Sequence, residues 1–129
     1  MTAEAQARPT RVMIVEDHAD FRNLMEALLS NQPDIELIAQ AGSLAEARNQ
    51  AANFELDVAI LDLGLPDGSG ADLISDLRRA SREVRVMVLS ASLDPEGIEK
   101  ARLAGADEIL DKLTPLDRVL ATVRRLGNT

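Results

Sequence analysis

The chain of 129 residues has no cysteine, no tryptophan and no tyrosine, and its only aromatic residues are Phe21 and Phe54. Without cysteine there is no disulfide, no thiolate zinc site and no cysteine nucleophile. Without tryptophan or tyrosine there is no stacking platform for single-stranded nucleic acid. Positive charge is scarce as well: 14 basic residues face 22 acidic ones, for a net charge of −8. Duplex binders present a basic face that releases counterions, so the composition argues against direct nucleic-acid contact by this chain. The pair Arg124–Arg125 is explained more simply as a solvated helix end. Lysine is scarcer still, because Lys100 and Lys112 are the only two among basic residues that are otherwise arginine. No apolar run approaches the ~18 residues of a membrane span, and the opening MTAEAQARPTR lacks the apolar stretch of a signal peptide. The expected location is the cytoplasm, with no membrane partner.

What is present is enough for one domain. A chain of this length buries about two-thirds of its unfolded surface, and 46% of its residues are apolar. Residues 1–10 are polar and aperiodic and read as a flexible tail, with the folded domain spanning 11–126. Short apolar runs follow at Val12–Val15, Ile35–Ala39, Val58–Leu61, Val84–Leu89 and Ile109–Leu110. Runs rich in β-branched residues without alternation suit parallel strands buried on both faces. Helical spacing lies between them: Phe21, Leu24, Met25 and Leu28 share one face, as do Leu116, Val119, Leu120 and Val123. Ser43 with Glu46, Ser69 with Asp72 and Thr114-Pro115 with Asp117 read as capping boxes, and Asp94-Pro95 as a cap followed by proline. The helices near 43–53 and 95–104 carry mostly alanine inside and should pack lightly. Five strands alternating with five helices make an α/β fold with a parallel sheet.

Open α/β sheets bind ligands at the carboxyl ends of their strands. The first run is followed by Glu16-Asp17, the third by Asp62, the fourth by Ser90 and the fifth by Asp111-Lys112. Singly, each has a structural explanation, such as Asp17 capping the helix that holds Phe21. Asp62 is harder to explain that way, because Leu63-Gly64-Leu65-Pro66 follows and no helix starts there. Together they form a chemical set. Crowded carboxylates must protonate or bind a cation, and oxygen ligands that leave room for phosphate favour Mg²⁺. A hydroxyl and an ammonium opposite would hold phosphoryl oxygens, with Asp62 as nucleophile.

These segments resemble the receiver domains of two-component response regulators, the CheY-like superfamily, over residues 11–126. RVMIVEDH resembles the acidic-pair motif, VAILDLGLPDGSG the phosphoacceptor motif, VMVLSAS the hydroxyl motif and GADEILDK the lysine motif, in the family's order. The wording VEDH, the long strand DIELIAQA and the missing Lys-Pro are closest to NarL/LuxR-type receivers. The resemblance implies a flavodoxin-like (βα)5 three-layer sandwich with strand order 2-1-3-4-5. It implies that Asp62 accepts phosphate from a sensor histidine kinase or phosphotransfer protein. Glu16, Asp17, Asp62 and the backbone carbonyl of Gly64 would hold Mg²⁺, while Ser90 and Lys112 would contact the phosphoryl group. The output would pass through the face formed by helix 95–104, strand 107–111 and helix 115–126, to a downstream protein, a phosphorylation-dependent homodimer or a C-terminal DNA-binding domain.

Some positions depart from the family's pattern. Ile109 stands where an aromatic residue or histidine is usual, Leu113 where proline is common, and Glu16 and Ser90 vary the common Asp and Thr. Pro66 and Gly70 match the loop after the acceptor. His18 reads as an exposed residue at a helix start, and Asp67-Gly68 as a turn. Two rival classes fit less well. A haloacid dehalogenase-like phosphohydrolase needs an acid two residues after its nucleophile, and that position is Gly64, which moves no proton. A flavodoxin-like electron carrier needs a first loop that cradles phosphate, which Glu16-Asp17 would repel. The chain end shortly after Leu126 favours a stand-alone receiver over a piece of a longer regulator.

Overall fold

The computed structural model describes residues 8–80, 83–91 and 93–128. Five parallel strands form the central sheet: β1 (Thr10–Val15), β2 (Ile35–Ala41), β3 (Val58–Leu61), β4 (Arg85–Ser90) and β5 (Glu108–Asp111). Their spatial order is β2-β1-β3-β4-β5, as the resemblance implied. Five helices connect and flank them: α1 (Ala19–Ser30), α2 (Leu44–Asn53), α3 (Gly70–Ala80), α4 (Pro95–Ala104) and α5 (Leu116–Gly127). A two-residue antiparallel hairpin, Gly64–Leu65 with Gly68–Ser69, lies between β3 and α3.

Alternation along the strands sorts the core into two layers. Met13, Val15, Ala59, Leu61, Val86 and Val88 face Leu44 and Ala47 of α2, Leu73, Ile74 and Leu77 of α3, and Ala101 of α4. The intervening Val12, Ile14, Val58, Ile60, Met87 and Leu89 face Met25 and Leu29 of α1 and Val119, Leu120, Val123 and Leu126 of α5. Because both faces are covered, these strands need no polar side, which is why their sequences are unbroken apolar runs. Burying one such side chain contributes about 1.5–3 kcal/mol. Helix α4 places only Ala101 among its fully buried residues and is the most lightly anchored of the five.

The structure differs from the sequence expectations at several ends. Residues 1–7 of the expected tail lie outside the described residues, and β1 already starts at Thr10, which pairs with Ile35. Leu24 is exposed and Leu29 takes the buried place on α1, because the helix turns its Met25–Leu29 stripe toward the sheet. Ser43 and Asp94 do cap, accepting from the N–H groups of Glu46 and Gly97. Ser69 accepts from the Ala71 N–H. Thr114 does not cap: Pro115 takes the N-cap position of α5, without a side-chain hydrogen bond. His18 rather than Asp17 is the N-cap of α1, also without one.

Candidate functional site at the carboxyl edge of the sheet

Parallel strands deliver their carboxyl ends to one edge, and the register decides what meets there. Val15 pairs with Leu61, so the residues that follow them, Glu16 and Asp62, emerge side by side. The Asp62 N–H donates to the Val15 carbonyl at 3.1 Å. On the other side, Leu61 pairs with Val88 and Ser90 with Asp111. The Lys112 N–H continues that ladder to the Ser90 carbonyl. Residues from four separate segments thus converge without a loop having to reach across.

Asp62 sits at the centre and is 6% exposed. Its Oδ1 accepts from the Ser90 hydroxyl at 2.7 Å and from the Gly64 N–H at 3.3 Å. Its Oδ2 accepts from Lys112 Nζ at 3.1 Å. The same ammonium lies 2.6 Å from Glu16 Oε1 and 4.7 Å above the centre of the Phe21 ring. Burial alone would lower the Lys112 pKa, but the hydrogen bonds it donates to Glu16 and Asp62 outweigh it and hold the ammonium above its usual range. One ammonium is therefore shared by two buried carboxylates, and the ring face beneath it adds a third favourable contact.

The remaining acidic residue faces outward. Asp17 is partly exposed, and its Oδ1 lies 3.4 Å from His18 Nδ1. That ring nitrogen is also 3.0 Å from Glu16 Oε2, which accepts from the His18 backbone N–H as well. His18 is exposed at the start of α1, as expected, but it touches both members of the acidic pair. One ligand-capable atom from each of Glu16, Asp17, His18 and Asp62 falls within a group no wider than 4.8 Å. Hard carboxylate oxygens gathered at that spacing suit Mg²⁺, which takes one or two carboxylates and completes its shell with water or phosphate.

The loop after Asp62 is held from three directions. Gly70 is obligatory there: a Cβ on it would lie 2.3 Å from the Asp62 carbonyl oxygen. Its N–H donates to the Leu63 carbonyl, closing the loop behind Asp62. The hairpin turn falls on Pro66 and Asp67, one residue earlier than the Asp67-Gly68 turn the sequence suggested; Gly68 starts the second hairpin strand, opposite Leu65, at φ +149°, a conformation that favours glycine. Asp67 does more than turn the chain. Its carboxylate accepts from the Leu44 and Ala45 N–H groups at 2.8 and 3.1 Å and so caps α2 across 23 residues of sequence. Those amides, Leu44 first, hold the Asp67 carboxyl below the usual range.

Sequence reasoning missed this cap, the Phe21 ring under Lys112 and the Arg22 Nη1 hydrogen bond to the Glu16 carbonyl at 2.6 Å. Phe21 read only as a core residue, and no local pattern marks a cap supplied from a distant loop. Gly64 is exposed in the hairpin. Ile109 is half-buried against the α2–α3–α4 core layer, and Leu113 is 91% exposed. No peptide bond among the described residues is cis, so Lys112–Leu113 is trans.

Comparison with known proteins agrees with this geometry. The family described as response regulator receiver domain matches residues 12–124. Among curated proteins, the nitrate/nitrite response regulator protein NarP of Escherichia coli is 34% identical over 119 residues, covering 92% of this chain and 55% of NarP. The DNA-binding transcriptional activator DevR/DosR of Mycobacterium tuberculosis is 36% identical over 96 residues, covering 74% of this chain and 44% of that protein. The chain thus spans about half the length of these relatives. Among solved structures, the signal receiver domain of the response regulator NarL from Mycobacterium tuberculosis superposes with a TM-score of 0.87 at 26% identity, covering 94% of this chain and 98% of that one.

Proposed function

The chain belongs to the response regulator receiver family of two-component systems, and from that premise we propose that Asp62 is its phosphoacceptor. The observation that carries this reading is the division of labour around one carboxylate. Ser90 and the Gly64 amide hold Oδ1, and Lys112 holds Oδ2. A nucleophile so fixed needs no reorientation before attack. A carboxylate oxygen of Asp62 forms the O–P bond as the donor's bond to phosphorus breaks, and the electron pair of that bond leaves with the donor. The Ser90 hydroxyl and Lys112 ammonium then donate to phosphoryl oxygens through charge-assisted hydrogen bonds.

Glu16, Asp17, Asp62 and the Gly64 carbonyl would hold Mg²⁺, which would supply charge neutralisation for the phosphoryl oxygens. The single ammonium of Lys112 already pairs with both Glu16 and Asp62, so the pocket is partly charge-balanced before a cation arrives. The donor is a sensor histidine kinase or phosphotransfer protein, and small phosphodonors serve as substitutes. Slow autodephosphorylation returns the acceptor to its resting state. Neither rival class gains support, since Gly64 offers no acid for a phosphohydrolase and the acidic pair occupies the loop a flavin phosphate would need.

The output reading is that phosphorylation is felt on the α4–β5–α5 face. Leu103, Leu113 and Leu116 are exposed there at 78%, 91% and 38%. An apolar surface of this kind suits a downstream protein, a second phosphorylated copy or a DNA-binding output domain. No helix among the described residues is long and apolar enough to cross a membrane. The acceptor assignment is tested with acetyl phosphate, Mg²⁺ and intact mass measurement. The wild type should gain one phosphoryl mass and Asp62→Asn none; a gain that persists in Asp62→Asn would refute the assignment.

A further inference from the structure

We propose that Phe21 is a positioning residue for phosphoryl transfer: its ring face holds the Lys112 ammonium beside Asp62 while the two carboxylates that also hold it change their partners. This rests on the reading of Asp62 as the phosphoacceptor and adds a residue which that reading does not use.

The placement of the ring follows from the chain. Only Glu16, Asp17 and His18 separate β1 from α1, so the first turn of the helix stands beside the carboxyl edge of the sheet. Phe21 precedes Met25 by one helical turn, and Met25 and Leu29 are the buried residues of α1. Phe21 continues their stripe up to the level of the site, partly buried against the same core layer. Packing of the helix on the sheet thus delivers an aromatic face to Lys112, whose side chain is only 12% exposed.

An ammonium has three N–H donors. Glu16 Oε1 at 2.6 Å and Asp62 Oδ2 at 3.1 Å take two directions. The Phe21 ring centre, 4.7 Å from Nζ, lies within the ~6 Å at which a ring face attracts a cation. Both carboxylates have a second role in the reaction. Glu16 belongs to the proposed cation ligands, and Asp62 loses its free carboxylate charge once one of its oxygens is bonded to phosphorus. The ring has no such second role: its negative face draws a cation without taking up a proton, a metal or a phosphoryl group. It is therefore the one of the three contacts whose chemistry is the same before and after transfer. A leucine would pack on the same core layer but would offer the ammonium no negative face.

The test separates the electrostatics of the ring from its bulk. Phenylalanine analogues with one, two and three ring fluorines are placed at position 21 by codon suppression, which weakens the negative face at nearly constant shape. The rate of phosphoryl uptake from acetyl phosphate with Mg²⁺ is followed by intact mass. Uptake should slow stepwise along the series and about fivefold in Phe21→Leu. The same analogues at Phe54, the C-cap of α2, should change nothing. Melting temperatures of the metal-free protein give a second readout: they should fall along the position-21 series in the wild type and stay level along it in Lys112→Met, because a purely structural role would persist without the ammonium. An uptake rate that is level across the fluorinated series, or a melting trend that survives in Lys112→Met, overturns the role of Phe21 even if Phe21→Leu is slow or poorly folded. If the wild type takes up phosphate while the series is level, the Asp62 reading stands and only Phe21 falls. If the wild type takes up none, the acceptor reading fails, and the proposal with it.

Discussion

Replacing Lys112 by methionine keeps most of the side-chain volume and removes one charge from between two buried carboxylates. The ammonium lies 2.6 Å from Glu16 and 3.1 Å from Asp62, so those two oxygens are no more than about 6 Å apart. At that separation and an effective dielectric of 20, their repulsion is about 3 kcal/mol once nothing stands between them. Breaking a fully buried ion pair by removing one partner costs about 3–5 kcal/mol. Here the loss should be smaller, because Asp62 keeps Ser90 and Gly64 and Glu16 keeps His18. The expected destabilisation of Lys112→Met is about 2–4 kcal/mol, or roughly 10 °C in melting temperature for a domain of this size. Urea denaturation followed by far-ultraviolet circular dichroism measures it, since there is no tryptophan or tyrosine to report by fluorescence. Adding Asp62→Asn removes one member of the repelling pair, so the double variant should lose less than the two single losses together. Mg²⁺ supplies an independent check. At ~10 mM and a millimolar Kd it adds about 1.4 kcal/mol to the wild type. It should add more to Lys112→Met, where no ammonium competes for Glu16. A variant within about 0.5 kcal/mol of the wild type, or with the same Mg²⁺ increment, would show that Lys112 does not balance these carboxylates.

The loop behind Asp62 gives a steric prediction: Gly70→Ala should destabilise by about 1–3 kcal/mol despite alanine's better helix propensity, because its Cβ meets the Asp62 carbonyl. A neutral or stabilised variant in thermal melts would contradict the close approach. At the opposite end of the sheet, burial alone would raise the Asp57 carboxyl, but the Arg11 guanidinium and N–H outweigh it and hold it below the usual range. Its stabilisation is therefore fully present above the ordinary carboxylate pKa and is lost as pH falls through the lower folded value. Asp57→Asn should accordingly flatten the acid limb of the stability–pH curve, and an unchanged limb would count against the pair. Beryllofluoride, a phosphoryl mimic, should alter amide exchange at Ser90, along α4 and at Ile109 far more than along α1. Ile109 has neither ring nor hydroxyl to relocate, so it should respond by apolar repacking alone. An equal or larger change in α1 would place the output on the other face.

The order of strands and helices was legible from short-range pattern because both faces of this sheet are covered. Val12–Val15 and Val58–Leu61 are apolar at every position, and the amphipathic stretch around Val119 and Val123 follows helical spacing. The chemical inventory was legible for the same reason, since a carboxylate, hydroxyl or lysine ending a buried apolar run stands out, as Asp62, Ser90 and Lys112 do. What remained invisible depends on partners distant in the chain. The Val15–Leu61 register sets Glu16 beside Asp62, and the fold then lays Lys112 between them, 50 residues from Asp62. Asp67 reads as a turn residue until α2 is brought against it. Leu24 and Leu29 are equally apolar, and only the rotation of α1 on the sheet decides which is buried. Local sequence sets the period of an element and the chemistry it carries. The direction each side chain faces, and the charge it meets, are decided when separate segments share one core.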